Sequence, residues 1–129
     1  MPSDCPFCAL PDDACVVTNS SMRALRDVYP VTPGHTLIVP RRHAASFADL
    51  SDQEKSDLMT LLDEVRSQLE EEFSPDGFNV GFNDGPAAGQ TVMHFHMHVI
   101  PRKAGDQADP RGGIRLIFPD KAVYWEDGD

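Results

Sequence analysis

His94-Phe95-His96-Met97-His98-Val99-Ile100 is the stretch on which the reading of this 129-residue chain turns. Drawn out as a strand, it sends successive side chains to opposite faces, so His94, His96 and His98 share one face while Phe95, Met97 and Val99 share the other. The apolar face packs and the other is left for chemistry. Three of the chain's five histidines then stand in a row roughly 6.5–7 Å apart, near enough for neighbours to serve one metal ion or one phosphate. A polar face turned to water is the plainer alternative. Solvated faces, however, usually mix Thr, Lys and Glu, and histidine at strict period two does not fit that pattern.

Working outward, Asp84-Gly85-Pro86-Ala87-Ala88-Gly89-Gln90 is a loop of small residues leading into the histidines. Its glycines let backbone approach a ligand and aim N–H groups at an anion, and Gln90 and Thr91 add donors. Before the loop, Phe78-Asn79-Val80-Gly81-Phe82-Asn83 alternates as a strand. After the histidines, Lys103 to Gly113 reads as a mobile polar loop and Ile114-Arg115-Leu116-Ile117-Phe118 as a possible last strand. Tyr124 and Trp125 read as anchors on the body or on a partner, and residues 126–129 as an acidic tail.

Further back, Ser51-Asp52-Gln53-Glu54 is a capping box that starts a helix. Leu58, Leu61, Leu62, Val65 and Leu69 make one apolar stripe along it, and Ser74-Pro75-Asp76-Gly77 ends it. Two short runs, 15–18 and 22–27, joined by Asn19-Ser20-Ser21 read as a hairpin. Tyr29 to Gly34 is a turn stiffened by two prolines, and residues 35–40 form the next strand. Arg41 and Arg42 follow it; they suit phosphate, but a solvated surface pair is the simpler reading.

Cys5-Pro6-Phe7-Cys8 is either half of a zinc site or a thiol–disulfide centre. Only four residues precede it, which leaves no room for the strand a thioredoxin-like centre needs, so zinc is the better reading if two more ligands exist. Cys15 reads as a small buried residue in a strand. Three cysteines cannot all pair within the chain, in keeping with a reducing compartment. The length suits one domain, residues 1–129. A net charge of −10 argues against general nucleic-acid or anionic-membrane binding. The absence of a long apolar run or a basic-then-apolar start leads us to expect a soluble, cytoplasmic protein.

Cys5-x-x-Cys8, Pro33-Gly34-His35 to His43, Asn83, Gly89-Gln90 and His94-x-His96-x-His98 together resemble the histidine-triad (HIT) family, on its Hint-like branch. The likeness covers a motif-bearing core, residues 5–102, with 103–129 as a C-terminal extension. It implies an α+β fold: a five-stranded antiparallel sheet with one main helix and a shorter N-terminal helix or turn, paired across a homodimer. It also implies a structural zinc on Cys5, Cys8, His43 and His94, with no open position for water.

By the same likeness His96 is the nucleophile toward the α-phosphorus of a nucleotide. His98 contacts the phosphate and helps protonate the leaving group, and His35 lines the site. Asn83, Gly89, Gln90 and Thr91 lie on the phosphate or leaving-group side. Asp27 holds the ribose hydroxyls and Val28 borders the base. The implied function is cleavage of adenosine 5′-monophosphate esters or phosphoramidates through a nucleotidyl-histidine. Cleavage of dinucleoside polyphosphates and a non-catalytic nucleotide-binding adaptor are the alternatives.

Overall fold

The computed structural model describes residues 4–125. Five antiparallel strands lie in the order β1-β2-β3-β5-β4: β1 Val17–Thr18, β2 Met22–Arg26, β3 Thr36–Pro40, β4 Gly77–Gly81 and β5 Met97–Arg102. The hairpin between β1 and β2 is closed by Asn19, whose side-chain oxygen accepts from the backbone N–H groups of Ser21 and Met22.

The helix α1, Asp52–Phe73, starts where the capping box sets it. The Ser51 hydroxyl accepts from the Glu54 N–H and the Glu54 carboxylate accepts from the Ser51 N–H. Leu58, Leu61, Val65 and Leu69 are fully buried along one stripe, with Leu62 partly buried beside them. They pack on Met22, Ala24, Ile38, Phe95, Met97 and Val99 from the facing side of the sheet. Burying each such side chain is worth about 1.5–3 kcal/mol.

β3 is buried along its whole length because both faces of the sheet are covered. Ile38 faces the helix, while Leu37 and Val39 join a second cluster with Cys5, Phe7 and Leu25. That second cluster is the N-terminal arm laid over β2 and β3. Arg23 pins it there, its guanidinium donating to the Phe7 carbonyl at 2.6 Å and to the Leu10 carbonyl. Gly34, at φ +91°, turns the chain into β3 where a Cβ would lie 2.8 Å from the Phe73 ring, so neither the dihedral nor the space admits a side chain.

Several expectations need correction. The histidine stretch is strand only from Met97, because the ladder with β3 begins at the Ile38–Met97 pair; upstream, Phe95 instead donates its N–H to the Ala44 carbonyl at 2.7 Å. Cys15 lies outside β1, half-buried after a 3-10 turn at Asp12–Ala14. Residues 114–118 are no strand: Gly113–Ile117 is a 3-10 helix, entered through Gly112 at φ +91°. The polar stretch before it is tied down by Arg102, whose guanidinium meets both oxygens of Asp106. Trp125 lies against Arg111, the guanidinium 4.4 Å from its ring centre. The acidic tail, residues 126–129, lies outside the described residues.

Candidate functional site

His98 stands opposite Leu37 and Gly81 in the ladders, which places it on the sheet face away from α1. The N-terminal arm covers one part of that face, and the C-terminal segment overhangs another, above β4 and β5. The histidines lie between these two covers. Burial alternates from Phe95 through Arg102, so the period-two reading of the faces holds even where the ladder is broken.

His94 is fully buried beneath the arm, and its ring Nε2–H donates to the Pro40 carbonyl at 2.8 Å. Pro40 lies beyond the Ile38–Met97 pair that begins the ladder with β5, so on that side its carbonyl has no strand partner. That bond leaves Nδ1 of His94 as a lone pair facing Cys5, Cys8 and His43. The separations are 3.4 and 3.6 Å to the two sulfurs and 3.2 Å to His43 Nδ1, and Cys8 Sγ lies 3.1 Å from His43 Nδ1. All four donor atoms lie within 4.8 Å of one another. A tetrahedral site with metal–sulfur bonds of about 2.3 Å and metal–nitrogen bonds of about 2.0–2.1 Å has edges of about 3.3–3.8 Å, so this donor set fits one ion. Burial lowers the His94 pKa, which favours the neutral imidazole that ligates. His43 and His94 thus offer the second pair of donor atoms sought beside Cys5 and Cys8.

His96 is half-buried and stands outside this donor cluster. Its Nδ1 lies 2.8 Å from the His94 carbonyl, which can only accept, so Nδ1 carries the proton and Nε2 offers a lone pair. Its ring lies 5.3 Å from Phe7 and 5.3 Å from His98. His94 and the half-buried His96 imidazole are thus coupled through one backbone carbonyl.

A second chain of bonds sets His98. The Val31 N–H donates to His35 Nδ1 at 3.2 Å, so the His35 proton sits on Nε2. That proton faces His98 Nδ1 at 2.9 Å, with Asp27 Oδ2 farther off at 3.5 Å. His98 consequently carries its own proton on Nε2 and presents a donor beside His96. Burial, with the neighbouring histidines His96 and His35 adding to it, lowers the pKa of His98; burial lowers that of His35 against the pull of Asp27.

Both side chains are thus held neutral in the fold. A base whose folded pKa lies below its unfolded value near 6.5 binds fewer protons folded than unfolded. The two histidines therefore contribute stability that is complete above pH 6.5 and drains away as the pH falls toward their folded values. We expect their imidazole resonances in a proton NMR titration to move with midpoints below 6.5. Midpoints above 6.5 would contradict the bonding described here.

Other residues singled out in the sequence are distributed around this centre. Asn83 and His35 line the cavity with His98. Gln90 is buried and its amide is engaged within the protein: Oε1 accepts from Gly85 N–H, and Nε2 donates to the Ala45 and Val92 carbonyls. It holds the small-residue loop in shape, with Gly89 at φ +96° closing the turn. Thr91 is exposed, and Val28 is exposed next to Asp27. Arg41 and Arg42 pair with Asp12 and Glu54, as a solvated surface pair does. Sequence reasoning missed Arg23, the Val31 N–H and the His94 and Pro40 carbonyls. An arginine inside the apolar run Met22–Leu25 was a legible signal for the first; backbone groups leave none.

A five-stranded antiparallel sheet of this order, one long helix on one face and imidazoles gathered on the other define an α+β domain class. The HIT domain profile matches residues 11–105, and the chain belongs to the HIT family. It is 37% identical over 107 residues to the bis(5′-nucleosyl)-tetraphosphatase (asymmetrical) of Schizosaccharomyces pombe, covering 82% of this chain and 59% of that protein. It therefore spans about three fifths of that relative's length. Among solved structures, a HIT family protein from Bacillus anthracis superposes with a TM-score of 0.73 at 35% identity, covering 78% of this chain and 74% of that one. A Zn-bound histidine triad family protein from Mycobacterium smegmatis superposes with a TM-score of 0.73 at 31% identity, covering 82% and 80%.

Proposed function

We propose that the protein is a nucleotide hydrolase or transferase of the Hint-like type, cleaving adenosine 5′-monophosphate esters or phosphoramidates through a nucleotidyl-histidine on His96. The observation that carries the reading is the bond from His96 Nδ1 to the His94 carbonyl, which leaves Nε2 unprotonated beside the His98 donor. In the first step a bond forms between Nε2 and the α-phosphorus while the bond from phosphorus to the leaving nitrogen or oxygen breaks. The departing atom takes one proton, supplied across His98 Nε2–H with solvent behind it. Water then attacks the phosphorus, the phosphorus–imidazole bond breaks, and the water's surplus proton is returned. His98 and Asn83 place donors where negative charge grows on the phosphoryl oxygens. In this reading Asp27 and Val28 border the ribose and base, and Gly89, Gln90 and Thr91 shape the phosphate-side loop.

Zinc is the ion we assign to Cys5, Cys8, His43 and His94. Two thiolates and two imidazoles form a closed set, so the metal would supply a fastening of the arm to the catalytic strand and take no part in the reaction. The tetraphosphatase relative favours a second reading, hydrolysis of dinucleoside polyphosphates, by the same histidine. We also infer a homodimer and a cytoplasmic setting; among the described residues no helix is long and apolar enough to cross a membrane. The direct test is to mix the protein with an adenosine phosphoramidate, quench with denaturant at alkaline pH and look by mass spectrometry for an adenylyl adduct on the peptide carrying His96. A protein that binds nucleotide and never forms the adduct is an adaptor, and the enzymatic reading is then wrong.

A further inference from the structure

The four donors of the Cys5, Cys8, His43 and His94 set sit on three short segments, and each segment also touches the groups around His96. Phe7, between the two cysteines, is buried and lays its ring 5.5 Å from His94 and 5.3 Å from His96. Val92, on the approach to the histidines, packs against the same cluster of Cys5 and Phe7. His43 opens a run of backbone whose next two carbonyls are both taken. That of Ala44 accepts from the Phe95 N–H at 2.7 Å, and that of Ala45 accepts from Gln90 Nε2 at 2.8 Å. The Gln90 amide in turn holds Gly85 and Val92, on either side of the small-residue loop. The His94 carbonyl accepts from His96 Nδ1 at 2.8 Å. The nucleophile and the phosphate-side loop are thus hung on the segments that carry the metal donors.

We propose that the metal site and the nucleotide site form one coupled unit, in which filling the Cys5, Cys8, His43 and His94 set fixes Phe7 and residues 43–45 in the arrangement that presents His96 and the loop, and a bound nucleotide in turn holds the metal. The inference rests on the nucleotide reading above and adds a regulation to it: nucleotide is bound at full affinity only while zinc is supplied. Arg23 keeps the arm on the sheet through the Phe7 and Leu10 carbonyls whether or not metal is present. Metal loss therefore loosens the side chains from Cys5 to Cys8 and the His43 segment, and leaves the rest of the arm docked. Two ligands that order the same segments each spare the other part of the ordering cost, which makes the coupling positive. Linkage makes it reciprocal: the factor by which metal raises nucleotide affinity equals the factor by which nucleotide raises metal affinity.

AMP is the probe, because it offers no bond to a leaving group and is not consumed. Its Kd is measured by calorimetry on zinc-loaded and zinc-stripped protein, and zinc affinity by competition against a chelator of known strength, with and without saturating AMP. Removing zinc is expected to weaken AMP binding at least fivefold, and AMP to tighten zinc by a matching factor. Phe7→Leu removes the ring from His96 while keeping the four donors, so it should bind one zinc per chain with both factors reduced below twofold. Leu62→Ala, which loosens the helix-facing core and touches neither site, should lower Tm and leave both factors at their native values.

Equal AMP affinity in the loaded and stripped forms overturns the proposal while leaving the His96 chemistry standing. So does native coupling in Phe7→Leu, or a loss of coupling in Leu62→Ala as large as in Phe7→Leu, which would report general loosening. A stripped chain that has lost its near-ultraviolet circular dichroism overturns it as well, since the metal would then hold the whole fold. Failure of AMP to bind either form removes the nucleotide reading itself, and this inference with it.

Discussion

Replacing His96 with alanine is expected to reduce AMP release from an adenosine phosphoramidate by on the order of 10⁴-fold or more, with nothing else in the molecule disturbed. Loss of a covalent nucleophile removes the two-step path, and the residual rate comes from the remaining donors acting on water. The specificity of the loss follows from the bonding. His96 gives one hydrogen bond, to a backbone carbonyl, and its ring is half-buried beside Phe7. Truncation therefore leaves His94, the metal ligands and the helix-facing core in place. Thermal unfolding and metal content should match the native chain while turnover is lost. Normal turnover by the variant would end the assignment of His96 as nucleophile.

The second large effect is on the metal. Exchanging Cys8 for serine, or stripping the ion with a chelator, is expected to lower stability by about 2–4 kcal/mol and Tm by roughly 10 °C or more. The four donors join points far apart in the chain, with Cys5 and His94 separated by 89 positions, so a common ion would close a long loop. Without it the arm keeps the contacts of Phe7 and the Arg23 hydrogen bonds, but His94 loses the partner of its Nδ1. Activity should fall less than stability, since His96 is held by the His94 backbone and not by its ring. The measurement is metal analysis on the purified protein followed by paired melts. One zinc per native chain and a lower melt for C8S support the structural site. A metal-free native chain that readily forms a Cys5–Cys8 disulfide points instead to a redox pair.

These two expectations separate what each histidine does, and that division was partly legible in the sequence. Period two and a shared face were plain from residues 94–98, as was the capping box at Ser51, because both rest on local geometry that short-range spacing encodes. The succession of strands along the chain up to β5 and the single long helix were readable for the same reason, while the five-stranded sheet was implied by the family likeness. The tail end was not: Ile114–Phe118 has the apolar, branched look of a strand, yet Gly113–Ile117 winds into a 3-10 helix and pairs with no strand.

What the amino-acid sequence determined by itself was the inventory and its local order: which imidazoles alternate, where the helix begins and stops, which cysteines have two residues between them. The tertiary structure alone decided which nitrogen of each ring carries a proton. Those choices are made by carbonyls and N–H groups of Pro40, His94 and Val31, which have no residue-specific signature. It also decided that Gln90 serves the loop, and that Asp106 cancels Arg102 at the cavity wall. A ring's tautomer and a side chain's partner are settled by groups brought within about 3 Å, and only folding brings distant groups that close.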